Sequence, residues 1–197
     1  MNTPNKLTVG RIIATPVFMA TMLIPFKGHY LVSLILFILA SLTDMIDGKM
    51  ARKYNLVTDF GKFLDPLADK MLTTAAYLGF ISVYGGNKTY CWQITAIVFI
   101  VLFREFMVSS IRLVVVSSGG KVIAANIWGK AKTVSQMLGI VFALAVLSIN
   151  EFELIGGNFE SVSNIAILVL FWISAVLCVI SGLIYLMGSK SYINSSK

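Results

Sequence analysis

The sequence is poor in charged residues and in residues that bind transition metals. Of its 197 residues, 13% are charged and 57% are hydrophobic, and the mean hydropathy is +0.85. Soluble domains carry about 25% charged residues, so the composition excludes a disordered chain and argues against an ordinary soluble domain. The single histidine is His29, and the two cysteines, Cys91 and Cys178, form no CxxC pair. A zinc site and a disulfide framework are therefore not expected, and we expect His29 to lie in a flexible loop.

Long apolar segments are what the chain has in abundance. Six of them approach the length of about 20 residues that a helix needs to cross a bilayer, and none alternates as a barrel strand does. They cover approximately residues 9–26, 29–48, 62–85, 91–115, 130–149 and 163–187. Helices satisfy their own backbone hydrogen bonds in lipid. We therefore predict an all-α integral membrane protein with six transmembrane helices that form a single domain over residues 1–197.

The distribution of basic residues predicts the orientation of these helices. With the N-terminus in the cytoplasm, 14 of the 16 Lys and Arg residues fall on cytoplasmic segments, and Lys27 and Lys88 fall outside. This asymmetry agrees with the positive-inside rule, and an even number of spans then places both termini in the cytoplasm. The net charge of +7 is explained by these flanking residues, which face anionic lipid. We therefore expect a lipid bilayer, and no nucleic acid, as partner.

The nine acidic residues separate into two groups. Glu151, Glu153 and Glu160 lie in the predicted outer loop between the fifth and sixth segments, and we expect them to be solvated. The other six lie on the cytoplasmic side, mostly within or at the ends of apolar helices. A carboxylate at bilayer depth costs about 2.5–3.5 kcal/mol and usually marks function. These six are Asp44, Asp47, Asp59, Asp65, Asp69 and Glu105.

Four of these carboxylates form two stripes. Asp44 and Asp47 are three residues apart on the second helix, and Asp65 and Asp69 are four residues apart on the third. Residues at these spacings share a helix face, and the short loop makes the two helices antiparallel neighbours whose stripes can face each other. Converging carboxylates cannot all stay ionised unopposed. Nearby Lys and Arg could pair with them, but small residues on the same stripes favour two Mg²⁺ or Mn²⁺ ions.

A carboxylate-bound metal centre without histidine is typical of phosphate chemistry. Eight residues stand at fixed spacing in this segment: Asp44, Asp47, Gly48, Ala51, Arg52, Gly61, Asp65 and Asp69. Their pattern resembles the signature of the CDP-alcohol phosphotransferases. The resemblance implies the fold of that family, with six membrane helices, cytoplasmic termini and a homodimer in the cell membrane. It also implies that a phosphatidyl group passes from a CDP-linked lipid to an alcohol, with release of CMP, at a site that faces the cytoplasm.

The resemblance further implies a role for each residue of the signature. Asp44, Asp47 and Asp65 would bind the metals. Asp69 would act as the general base on the acceptor hydroxyl and would also contact the second metal, since a hydroxyl needs a carboxylate within hydrogen-bond reach. The glycines and the alanine would let the cytidine nucleotide approach the helix backbones. The residues expected beside the CDP-lipid are Thr8, Gly48, Ala51, Arg52 and Gly61.

Basic residues on the fourth and fifth helices indicate which alcohol is used. Arg104 and Arg112 are eight residues apart in an apolar stretch, about two turns along similar faces. Lys130 and Lys132 open the fifth helix, where backbone N–H groups suit an anion, although they could also be ordinary flanking residues. A second cationic pocket would bind a phosphorylated acceptor, which choline or ethanolamine would not need.

The segments that carry these basic residues resemble those of family members that use CDP-diacylglycerol and sn-glycerol 3-phosphate. This resemblance implies that the cationic pocket binds the phosphate of the acceptor. Glu105 could pair with one of the arginines or with a lysine, and the first helix would lie near the entrance to the site. The residues expected to support the site are Asn5, Arg11, Glu105 and Thr133.

Two alternative functions stay open. A sister transferase could use inositol phosphate, or phosphatidylglycerol to give cardiolipin. A cation channel or transporter with an acidic filter belongs to a different class. Its acids should be distributed across the depth of the membrane, whereas the acids in this chain cluster at one edge.

Overall fold

The chain folds into six helices in a computed structural model that describes residues 2–53, 58–117, 127–156 and 158–194. These ranges contain no strand, so the all-α prediction is confirmed for them. Most of the helices continue past the apolar segments, because polar residues at the membrane edge extend the same hydrogen-bonded backbone. The helices are α1 (Thr3–Leu23), α2 (His29–Lys53), α3 (Asp59–Val83), α4 (Lys88–Ser117), α5 (Ile127–Glu151) and α6 (Phe159–Asn194).

Five of the six described helices are long and apolar enough to cross a membrane, as is typical of a multi-pass membrane protein. The candidate spans are Asn5–Leu23, His29–Ile46, Lys88–Val116, Ile127–Glu151 and Phe159–Ser189. The exception is α3, which has 25 residues but carries charged side chains through its first half, including Asp69 and Lys70. The number of six spans and the cytoplasmic termini therefore stay predictions.

The helices pack as two groups of three. α1 lies against both α2 and α3, and α6 lies against both α4 and α5, while contacts of α2 with α5 and of α3 with α4 join the groups. Among the described residues, α2 and α3 touch each other over only a short stretch. That the carboxylate stripes of α2 and α3 face each other stays a prediction, because Asp47 and Asp65 lie outside the described side chains; the described pair, Asp44 and Asp69, interacts electrostatically.

Aromatic side chains tie the two groups together in the core. The ring of Phe171 on α6 lies 5.2 Å from the rings of Tyr77 and Phe80 on α3, and all three are fully buried. Such edge and tilted contacts between buried rings are favourable beyond the area that they bury. The Tyr77 hydroxyl lies 3.2 Å from the Ser174 hydroxyl, and the Tyr84 hydroxyl donates to Asn164 Oδ1 at 2.8 Å. These contacts fix α3 relative to α6.

Glu151 and His29 differ from what the sequence led us to expect. The Glu151 carboxylate accepts hydrogen bonds from the backbone N–H groups of Gly28, His29 and Tyr30 at 2.5, 3.3 and 3.3 Å. It therefore caps the start of α2 instead of being merely solvated, because α5 ends where α2 begins. His29 is the first residue of α2, and its Nδ1 donates to the Thr21 carbonyl at 3.1 Å, so it does not lie in a flexible loop. Glu153 is exposed, as expected.

Candidate active site

A buried polar face of α1 organises one side of the site. Asn5, Thr8, Arg11 and Thr15 follow one another at intervals of three or four residues, and all four are buried. This spacing places them on one helix face, which is turned into the protein although the helix as a whole is apolar. A polar stripe in an apolar helix is a sequence signal for an inward face, and Thr15 is the member that the sequence-based prediction missed.

Asn5 joins α1 to the beginning of α3. Its side-chain amide donates to Thr58 Oγ1 at 2.9 Å, and Thr58 caps α3 by accepting from the Gly61 N–H at 3.0 Å. A Cβ atom on Gly61 would lie 2.9 Å from Asn5 Oδ1, which is too close. Gly61 therefore permits the approach of α1, and in the structure the Asn5 side chain occupies the space beside it. The expectation that a nucleotide approaches Gly61 stays a prediction.

Arg11 forms an ion pair with Asp44. The Arg11 side chain is 1% exposed, and its Nη1 contacts Asp44 Oδ1, while the Asp44 side chain is 37% exposed. A buried guanidinium requires an anion, and Asp44 supplies it. Sequence reasoning weighed only nearby Lys and Arg as partners of the aspartates and favoured metal ions over them, and it missed this cation because Arg11 is 33 residues away in the chain.

The structure describes two of the four predicted metal-binding carboxylates. Asp69 is half-buried on α3. It interacts electrostatically with Asp44 and Arg11, and also with Glu105 and Lys132. In the described part of the chain, no cluster of three His, Cys, Asp or Glu could hold a metal ion. The remaining residues of the predicted metal and nucleotide sites lie on α2 and α3, and their side chains fall outside the described residues: Asp47, Gly48, Ala51, Arg52 and Asp65.

The described carboxylates fit a divalent cation in two respects. Asp44 and Asp69 offer the hard oxygen donors that Mg²⁺ and Mn²⁺ prefer. The Asp44 side chain is 37% exposed, so part of this carboxylate stays accessible to a cation although its Oδ1 is paired with the Arg11 guanidinium. The metal site itself stays a prediction.

Cationic side chains from three helices contact the carboxylate of Glu105, which also interacts electrostatically with Asp69. Lys132 Nζ from α5 and Arg104 Nη1 from α4 both contact Glu105 Oε1, the latter at 3.1 Å. Lys70 Nζ from α3 lies 3.9 Å from Glu105 Oε2. Arg104 Nη2 also donates to the Ser181 hydroxyl of α6 at 2.6 Å. The structure thus brings Arg104, Lys132 and Glu105 together, as the sequence suggested.

The other residues predicted to bind the acceptor lie outside this cluster. Arg112 is exposed about two turns beyond Arg104, and Lys130 is exposed at the start of α5. Thr133 is half-buried, and its hydroxyl donates to the Gly129 carbonyl at 3.2 Å. Sequence reasoning missed Lys70, although a lysine directly after Asp69 in an apolar helix was a usable signal. Sequence reasoning also missed Ser181, because a serine in an apolar helix is not a comparable signal.

Two regions of opposite charge therefore meet at one end of the bundle. Asp44 and Asp69 provide carboxylates that can hold cations or accept a proton. Lys70, Arg104 and Lys132 provide donors that suit a phosphate group. Asp69 interacts electrostatically with members of both regions.

Comparison with known proteins gives close relatives over nearly the whole chain. The family model described as CDP-alcohol phosphatidyltransferase matches residues 1–184. The CDP-diacylglycerol–glycerol-3-phosphate 3-phosphatidyltransferase of Bacillus subtilis (strain 168) is 38% identical over 193 residues, which cover 92% of this chain and 91% of the relative. The protein of the same name from Rickettsia bellii (strain RML369-C) is 37% identical, with 97% of each chain covered. That from Haemophilus influenzae (strain ATCC 51907 / DSM 11121 / KW20 / Rd) is 32% identical, with 96% and 94% covered.

Proposed function

Since the chain belongs to the CDP-alcohol phosphatidyltransferase family, we propose that it transfers the phosphatidyl group of CDP-diacylglycerol to sn-glycerol 3-phosphate. The products are phosphatidylglycerol phosphate and CMP, and the reaction is a step of phospholipid synthesis. The observation that carries this proposal is the similarity over almost the full length to relatives that are named for this reaction. The cationic cluster beside Asp69 supports it, because a phosphorylated acceptor needs positive charge near the general base.

Asp69 is the proposed general base. It takes the proton from the primary hydroxyl of glycerol 3-phosphate as the hydroxyl oxygen forms a bond to the phosphorus that carries the diacylglycerol. The bond from this phosphorus to the bridging oxygen breaks, and CMP leaves with the electron pair. The half-buried position of Asp69, with electrostatic interactions on both sides, supports this role.

A divalent metal completes the proposed site. The family is generally dependent on divalent metal, and the described carboxylates suit Mg²⁺ or Mn²⁺. When bound, the metal neutralises negative charge on the pyrophosphate and on the departing CMP. The residues proposed to hold two ions are Asp44, Asp47, Asp65 and Asp69. The residues proposed to contact the CDP-lipid are Thr8, Gly48, Ala51, Arg52 and Gly61.

The proposed acceptor site lies among the basic residues of α4 and α5. Arg104 and Lys132 are the inner cations, and the exposed Arg112 and Lys130 can attract the anionic acceptor from water. A neutral alcohol would leave this positive charge without a ligand. The cluster therefore favours glycerol 3-phosphate over a neutral acceptor.

The membrane arrangement is part of the proposal. We place α3 across the bilayer as a sixth span, with both termini and the active site on the cytoplasmic side of the cell membrane. The basic residues at the end of the helix bundle that carries the site support this orientation through the positive-inside rule. The acyl chains then stay in lipid while the soluble acceptor arrives from the cytoplasm. Residues 1–197 form a single domain, and the functional unit is a homodimer, as in the family that the signature resembles.

The experiment is a reconstituted assay with purified protein, CDP-diacylglycerol, divalent metal and radiolabelled glycerol 3-phosphate. We expect labelled lipid and release of CMP in equal amounts, and at least about 100-fold less of both products with the Asp69→Asn variant. If glycerol 3-phosphate gives no labelled lipid and CMP is released only when inositol phosphate or phosphatidylglycerol is supplied, that compound is the acceptor instead. Ion flux across vesicles without any release of CMP would instead indicate a channel or transporter.

A further inference from the structure

Glu105 lies at the centre of a largely buried charge cluster. The side chains of Lys132, Arg104 and Glu105 are 8%, 13% and 17% exposed. Two cations that are withdrawn from water this far repel each other and need an anion between them. Glu105 Oε1 contacts both, so this one carboxylate determines how far apart the two cations lie.

Arg104 is held in one orientation from two sides. Its Nη1 lies 3.1 Å from Glu105 Oε1, and its Nη2 donates to Ser181 Oγ at 2.6 Å. Gly182 makes room for the arginine stem, because a Cβ at Gly182 would lie 3.1 Å from Arg104 Cγ. A guanidinium has five N–H donors, and Nε of Arg104 finds no hydrogen-bond acceptor among the described residues. Arg104 is thus fixed and still has donors for a further anion.

The cluster keeps an excess of positive charge. Lys70, Arg104 and Lys132 surround the single Glu105 carboxylate. Arg112 and Asp69 also interact with Lys70, and their opposite charges offset each other. A phosphate monoester is a dianion near neutral pH, so it suits a site in which several cations are held close together and are only partly neutralised.

We propose that Glu105 is a positioning residue for the acceptor phosphate. Its carboxylate holds Arg104 and Lys132 side by side so that their remaining donors converge on one phosphate group. The inference rests on the proposed function, which names glycerol 3-phosphate as the ligand. It gives the acidic residue Glu105 an indirect role in binding an anion. Removing this acid should weaken the binding of phosphate, although the removal makes the cluster more positive.

Steady-state kinetics of Glu105→Gln and Glu105→Asp test the proposal. We expect the KM for glycerol 3-phosphate to rise about tenfold or more in the Gln variant, as expected for losing a hydrogen bond between charged groups. The KM for CDP-diacylglycerol should stay unchanged, kcat should change less than KM, and the Asp variant should recover part of the affinity. Glu160→Gln, at an exposed acid in the first turn of α6, is the matched control.

Two results would overturn the proposal. One is an unchanged or lower KM for glycerol 3-phosphate in Glu105→Gln. The other is an equal rise in the KM of both substrates without recovery in Glu105→Asp, since that pattern indicates a merely structural role. Ser181→Ala serves if the Gln variant does not fold, because it removes the second anchor of Arg104 and should also raise the KM for the acceptor alone. An unchanged KM in Ser181→Ala would then count against the proposal.

Inorganic phosphate separates failure of this inference from failure of the proposed function. We expect phosphate to raise the Tm of the wild-type protein in detergent and to have no such effect on Glu105→Gln. This result would support the inference even if glycerol 3-phosphate were not the acceptor. If the wild-type protein makes labelled lipid and phosphate stabilises both proteins equally, the proposed function stands and the positioning role of Glu105 fails.

Discussion

Replacing Gly61 by alanine tests how α1 is joined to α3. The added Cβ would lie 2.9 Å from Asn5 Oδ1 and 3.2 Å from Thr58 Oγ1, so the Asn5 side chain must move. Its movement breaks the 2.9 Å hydrogen bond from the Asn5 amide to Thr58, which caps α3. We therefore expect Gly61→Ala to destabilise the protein.

The magnitude follows from two opposing terms. Leaving a buried polar group without its hydrogen bond costs about 1–3 kcal/mol. Alanine in place of glycine within a helix stabilises the folded protein by about 0.5–1 kcal/mol. The net loss for Gly61→Ala is up to about 2.5 kcal/mol, which corresponds to a decrease in Tm of up to about 10 °C for a chain of this length. Gly10→Ala is the matched control, because no described atom outside its own stretch of helix backbone lies within 4 Å of its Cβ position, and it should leave the Tm unchanged or higher.

Thermal unfolding of four proteins in detergent provides the assay: wild type, Asn5→Ala, Gly61→Ala and the double variant. Once Asn5 is shortened, the Cβ at position 61 meets no Asn5 carboxamide, so Gly61→Ala should cost little in the Asn5→Ala background. An equal loss of Tm in both backgrounds would refute the reasoning. If Gly61 instead only lets the nucleotide approach the helix backbone, its substitution should raise the KM for CDP-diacylglycerol equally in the wild-type and Asn5→Ala backgrounds.

The remaining predictions concern the cap of α2, the general base and the metal. Glu151→Ala removes the acceptor of three backbone N–H groups and should cost about 0.5–2 kcal/mol. Glu153→Ala, at an exposed residue, should cost less, and equal values of Tm would contradict the capping role. Asp69→Asn should reduce turnover by at least about 100-fold in the lipid-labelling assay, and wild-type turnover would exclude the general base. Chelation with EDTA should abolish activity until Mg²⁺ or Mn²⁺ is added, whereas activity that persists in EDTA would contradict the metal site.

The helices could be predicted from the sequence because lipid imposes a simple constraint. A segment that is apolar over about 20 residues must satisfy its backbone internally, so hydropathy located the five helices that qualify as candidate spans, while only the second half of α3 is apolar. Their ends were less predictable, since polar residues continue a helix beyond the apolar region. α6 continues to Asn194, for example, although its apolar segment ends near residue 187.

Partners that are distant in sequence were predicted poorly. The sequence order does not reveal that α1 packs against both α2 and α3. The ion pair of Arg11 with Asp44 and the bond of Arg104 to Ser181 depend on this packing. The contacts of Glu105 with Arg104 and Lys132 were among the pairings that the sequence suggested, because few charges are available in an apolar chain to neutralise them.

The most direct test of the central claim is mass spectrometry of the lipids formed by the purified protein. The protein is supplied with CDP-diacylglycerol, divalent metal and an equimolar mixture of glycerol 3-phosphate, inositol phosphate and phosphatidylglycerol. We predict phosphatidylglycerol phosphate as the lipid product, together with one CMP for each molecule formed. A different lipid product, or no lipid product and no CMP, would contradict the proposed function.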